Sequence, residues 1–138
     1  SPRLRLDLLV NDFVYQAITN GILNIFQADF RRTFIHVRDM SRTFIFGLEN
    51  HNKLKYKVYN AGADHLNWTK RTLAEYVASQ TGAMIHYADI GEEADQRDYR
   101  VSYSRLTDEG FRCKENMENG IQELIKVTPL LQIRHQYS

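Results

Sequence analysis

The side chains here with chemistry to offer are five histidines, one cysteine, a run of carboxylates and two groups of arginines. The histidines stand at 36, 51, 65, 86 and 135, and no pair has the i, i+4 spacing of a zinc site built on one helix. His36 and His86 fall within short apolar runs that read as strands, and both are read as structural rather than metal-ligating. Cys113 has Arg112 and Lys114 beside it, which would favour a thiolate. Neighbours on an extended segment face opposite ways, however, and no histidine is close in sequence, so a passive thiol is expected. Glu92, Glu93, Asp95 and Asp98 lack the Asx-Gly pattern of a calcium loop and read as a solvated face.

The arginines carry more information. Arg31 and Arg32 precede the apolar run TFIHV and Arg38 follows it, while Arg97 and Arg100 follow the acidic run. A guanidinium at a strand end grips a phosphate with two parallel hydrogen bonds and keeps its charge when partly buried. Two brought together would suit a diphosphate. Spacing alone leaves both phosphate binding and plain surface arginines open. Asn60 and Gly62 close the run KVYNAG, where a ligand at a strand carboxyl end and a plain turn are both compatible with the residues.

The elements that must position these groups follow from periodicity. Apolar residues from about Asp7 to Asn20 form a helical stripe that Gly21 closes. ILNIF (22–26) and TFIHV (33–37) read as strands. Asp39 is placed to cap a helix through Asn50, with Met40, Phe44 and Leu48 every four residues. NHNK reads as a loop and Lys55 to Gly62 as a strand. Thr69 starts a helix that Gly82 stops, and MIHYA (84–88) is a strand. Tyr99 to Tyr103 reads as extended, with a helical turn through Leu106 that ends at Gly110. Met117, Ile121, Leu124 and Ile125 share a helix face, and TPLLQIRHQYS reads as a frayed or packed tail.

Composition bounds the class. The 138 residues are 43% hydrophobic and 12% aromatic, enough for a core in a single unit spanning 1–138. Eighteen basic against 17 acidic residues give a net charge of +1, against a general nucleic-acid binder. No apolar run approaches the roughly 20 residues of a membrane helix, the first residues do not read as a secretory signal, and one cysteine excludes an internal disulfide. A cytoplasmic α/β chain is expected, with no nucleic-acid or membrane partner.

The order of the pieces resembles the carboxy-terminal half of an extended short-chain dehydrogenase/reductase, more narrowly the NAD-dependent nucleotide-sugar epimerases and dehydratases. RRTFIHVRDMSRTFI is the most specific stretch; YNAG followed by a Thr-opened helix is the second, and SRL, EGF and ENGIQELI form the third. The resemblance runs to about Val127. It implies a carboxy-terminal α+β substrate lobe, with Asp39 to Glu49 and Lys55 to Asn60 returned as helix and edge strand to an incomplete Rossmann fold. Two features of the complete family are missing. The glycines, at 21, 47, 62, 82, 91, 110 and 120, contain no G-x-x-G-x-x-G cluster, and no tyrosine is followed four residues later by lysine. The chain alone is therefore expected to lack catalytic residues, bound cofactor and metal, with NAD or NADP held in the complete enzyme.

What the resemblance transfers is substrate grip. Arg32 matches the arginine on the nucleotide diphosphate, and Asn60 the asparagine near the bound nucleotide. Phe26 stands where relatives stack a residue on the base. Asn11 and Asp12 fall where relatives place an asparagine on the phosphate, and a carboxylate at Asp12 would be unfavourable there. The second phosphate arginine usually stands in R-P-G-D, absent here, and Arg97 is the nearest candidate. The expected function is the nucleotide-sugar-binding portion of an epimerase or dehydratase, with the missing Rossmann half as partner and self-association through exposed apolar surface. The alternative is a stand-alone nucleotide- or protein-binding module derived from that fold.

Overall fold

The computed structural model describes residues 4–88, 98 and 100–135, with only the backbone of 132–135. Its centre is a helix-wrapped pair of parallel strands. α1 (Leu9–Asn20) buries Phe13, Val14 and Ala17 and ends at Gly21, whose φ of +68° is the left-handed turn expected from sequence. β1 (Ile22–Ile25) follows at once and pairs in parallel with β4 (Met84–Tyr87), Leu23 beside Ile85 and Ile25 beside Tyr87. Between them, α4 (Lys70–Thr81) opens with a reciprocal cap in which Thr69 and Thr72 bond each other's backbone N–H, and it closes at Gly82. α6 (Met117–His135) lies along α1. Val14, Leu23, Leu73, Val77 and Ile121 are almost wholly buried where these elements meet.

A second, two-stranded sheet holds β2 (Arg31–Thr33) antiparallel to β3 (Asn67–Thr69), with Arg32 opposite Trp68. Here the structure departs from the expected strand at 33–37. β3 supplies only three partners, so the ladder ends at Thr33; Phe34 N–H still bonds the Leu66 carbonyl, at 3.1 Å, and the chain then turns into α2 (Val37–Glu49). His36, not Asp39, caps α2, its Nδ1 accepting from Arg38 N–H at 3.1 Å. Asn50 to Lys53, expected as loop, lies mostly in a single helical turn, α3 (His51–Leu54).

The expected strand at Lys55 to Gly62 is not formed. Tyr56 has a φ of +63°, and among the described residues no strand lies alongside. Its ties are side-chain ones: Tyr59 Oη donates to Glu109 at 3.0 Å, and Asn60 Nδ2 to the Ser102 carbonyl at 3.2 Å. α5 (Ser104–Asp108) gives the expected short turn before Gly110. The tail, read as frayed or packed, continues α6 through His135, despite Pro129 inside the helix. No helix among the described residues is long and apolar enough to cross a membrane.

Candidate functional site: an open cavity at three helix starts

β2, the first turn of α2, the start of α1 and the start of α6 enclose an open cavity of about 1360 Å³. Each wall follows from local sequence. Arg32 sits mid-β2 and is 8% exposed, its Nη1 donating to the Arg31 carbonyl at 2.9 Å. α1 presents Leu9 to Asp12, and no side chain caps its first N–H groups. α6 presents Met117 and Gly120, and Asn116 caps it by accepting from Asn119 N–H at 2.8 Å. A Cβ at Gly120 would stand 3.4 Å from His36 Cδ2, so α6 and the α2 cap lie about a van der Waals contact apart here.

The positive ends of three helices therefore border one cavity beside a buried guanidinium, an arrangement that favours an anion. The carboxylates on the walls have their own partners. Asp7 bonds Arg5, Asp12 accepts from Gln16 Nε2 at 2.7 Å, and Glu123 is gripped by Arg38 at 2.6 and 3.2 Å. Hydrogen bonding from Arg38 holds the Glu123 carboxyl below the usual range against the opposing effect of burial.

Asp39 sets the distance between two of the walls. It is fully buried and accepts from Lys114 N–H and Glu115 N–H, each at 2.9 Å, and from Arg42 Nε at 3.0 Å. Burial acts to raise its pKa, but these donors more than offset that and leave it lowered. α2 is thus pinned to the segment leading into α6. Cys113, in the same segment, is pushed up to about 11 by burial and by Asp39, so it is a thiol at neutral pH.

Of the residues singled out from sequence, the cavity brings together Arg32, Asn11 and Asp12. Asn11 Nδ2 donates to the Arg5 carbonyl at 2.8 Å, tying down the strand of chain ahead of α1. Phe26, just beyond β1, lies outside the cavity walls; its carbonyl accepts from the buried Lys70 Nζ at 3.3 Å. Asn60 is exposed and also outside them. Arg97 lies outside the described residues, as do Glu92, Glu93 and Asp95; Asp98 accepts from Arg31 N–H at 2.9 Å. His36, Asn116 and Glu123 line the cavity without having been assigned to a site, and the sequence pattern places His36 inside a strand rather than at a helix start.

Among the described residues no three His, Cys, Asp or Glu cluster as metal ligands. A dinucleotide pyrophosphate needs glycines leading into a helix N-terminus. Gly21, Gly82 and Gly110 instead follow helix C-termini, and Gly62 packs against Tyr103.

No family model matches the sequence. Solved structures do match, at low identity. UDP-glucose 4-epimerase of Thermus thermophilus in complex with NAD is 17% identical at a TM-score of 0.64, covering 88% of this chain and 40% of the enzyme. dTDP-glucose 4,6-dehydratase of Bacillus anthracis with NAD is 22% identical at 0.68, covering 88% and 39%. RMD of Pseudomonas aeruginosa with NADPH is 18% identical at 0.71, covering 90% and 43%. The chain therefore has a mixed α/β fold similar to part of these enzymes, and it spans about two-fifths of their length.

Proposed function

We propose that this chain is the substrate-binding portion of an NAD(P)-dependent nucleotide-sugar epimerase, dehydratase or reductase, and that its cavity holds the ligand's diphosphate. The observation that carries the reading is one cavity lined by three helix starts and by the buried Arg32. Arg32 grips a phosphate, α1 and α6 add fixed positive potential, and Asn11 steadies the rim. Binding energy there would position the sugar for chemistry elsewhere. Hydride transfer belongs to a dinucleotide held by a Rossmann half outside this segment, since the glycines here offer it no cradle. Phe26 as the base-stacking residue, Asn60 beside the nucleotide and Arg97 as a further phosphate ligand belong to the same proposal.

The reading also gives the outer face of α2 a partner. Phe44 and Leu48 on α2 are 69% and 78% exposed, and Val58, in segment 55–60 that pairs with no strand among the described residues, is 79% exposed. A Rossmann half supplies both a sheet edge for that segment and cover for the helix.

Thermal unfolding with UDP, dTDP, GDP, CDP, ADP and NAD in turn tests the binding role. A ligand for the folded state alone stabilises by about 2.7 kcal/mol at a hundred times its dissociation constant. A shift with a nucleoside diphosphate and none with NAD is expected. Arg32→Ala should weaken that binding by roughly 1.5–3 kcal/mol. Equal binding by wild type and variant would remove Arg32 from the site.

A further inference from the structure

Arg38 and Glu123 span the cavity from the first turn of α2 to α6, and both line it. Their contact is a fork: Nη1 meets Oε1 at 2.6 Å and Nη2 meets Oε2 at 3.2 Å. Two further groups bear on the pair. His36 Nε2 stands 3.5 Å from Glu123, and Glu115 stands 3.6 Å from Arg38 Nη1. Backbone geometry fixes where Arg38 starts, because its own N–H is the donor that His36 caps. The pair itself is half exposed, 53% for Arg38 and 48% for Glu123, so water screens it and little is lost by opening it.

With Arg5 held by Asp7 and Arg38 held by Glu123, the charges on these walls nearly balance. A diphosphate brings more negative charge than one guanidinium matches, and a carboxylate already sits on Arg38, which lines the same cavity as Arg32. We infer that Arg38 is a second phosphate-holding arginine, masked by Glu123 until a diphosphate takes the carboxylate's place. This rests on the reading of the cavity as a diphosphate site. The exchange conserves the fork geometry, since a phosphate presents two oxygens to the guanidinium much as the carboxylate does. Glu123 then sets a threshold: a ligand with one phosphate, held at Arg32, leaves the pair closed, and one with two phosphates opens it.

The test is calorimetric titration of the full chain with UDP, dTDP, GDP, CDP and ADP and with each matching monophosphate. Wild type, Arg38→Gln, Arg38→Lys and Glu123→Gln are compared, each first checked for an unchanged melting curve without ligand. Arg38→Gln should weaken diphosphate binding by about tenfold or more, the lower end for a charge-assisted contact, and leave the monophosphate within about twofold. Arg38→Lys should restore part of the loss. Glu123→Gln should tighten the diphosphate several-fold, on the order of one screened like charge removed, and leave the monophosphate within about twofold, so that the preference for the diphosphate widens. Weakening of both ligands to the same degree by Arg38→Gln, or no tightening by Glu123→Gln, overturns the exchange while leaving the cavity reading in place. A folded wild type that binds none of the nucleotides overturns both.

Discussion

Asp39 is ionised in a place that water does not reach, and it accepts from Arg42 on its own helix and from two backbone N–H groups of the segment leading into α6. Because its folded-state pKa lies below the ordinary 3.8, its contribution is complete above that value and is lost as pH falls through the lower, folded one. Asp39→Ala should cost on the order of 3–5 kcal/mol, since it strands two backbone donors and Arg42. Asp39→Asn should flatten the fall in melting temperature below about pH 4. Parallel acid curves for wild type and Asp39→Asn would assign that fall to other carboxylates. Gly62 makes a different demand. Its φ is +153°, and a Cβ there would lie 2.4 Å from Cε1 of the buried Tyr103, whose hydroxyl bonds Thr33 on the cavity wall. Gly62→Ala should therefore destabilise by at least about 2 kcal/mol, from overpacking and backbone strain together, and should weaken nucleotide binding through Thr33. A variant as stable as wild type would show that Tyr103 can move aside freely. The residues around this glycine leave a ligand site and a plain turn both open, and its neighbour is a tyrosine of the chain itself.

At the scale of elements, α2 is amphipathic with its apolar side turned outward. Its one fully buried side chain is Asp39, while Phe44, Ile45 and Leu48 face solvent. Phe44→Ser with Leu48→Ser should change stability by no more than about 0.5 kcal/mol, as expected where no core contact is lost, and should shift sedimentation of the isolated chain toward monomer. A large drop in melting temperature instead would mean that the face is already covered. The same contrast explains which elements were legible in sequence. α1, α4 and α6 announce themselves through helical spacing, and their stops at Gly21 and Gly82 and the cap at Thr69 are local chemistry. Strands are not local. β2 stops where β3 runs out of partners, and 55–60 has the alternation of a strand with no strand beside it among the described residues. For the cavity, Arg32, Asn11 and Asp12 were legible because the resemblance placed them. Glu123 was not, because it lies 85 residues from Arg38 and only the packing of α6 joins them.

Taken whole, the described part of the molecule leaves large apolar side chains of α2 and of residues 56–58 outside its core. Among the described residues Phe44, Leu48, Tyr56 and Val58 are each at least 69% exposed. The core joins α1, β1, α4 and α6, with Leu23, Leu73 and Ile121 at its heart. α2 and α3 stand outside that cluster and are held by polar ties at Asp39 and Lys53 and by the Phe46 ring 5.6 Å from Phe111. Few buried apolar contacts and much exposed helix backbone are the conditions for local opening below the global free energy. Native-state hydrogen exchange should therefore divide the chain in two: amides of α1, β1, α4 and the first half of α6 exchanging together near the global limit, and those of α2 and α3 exchanging sooner. In Asp39→Asn the second group should loosen further while the first keeps its protection. Uniform protection across α2 and the core in a monomeric sample would mean that the polar ties alone make one cooperative unit, and the outer face of α2 would then need no partner to be stable.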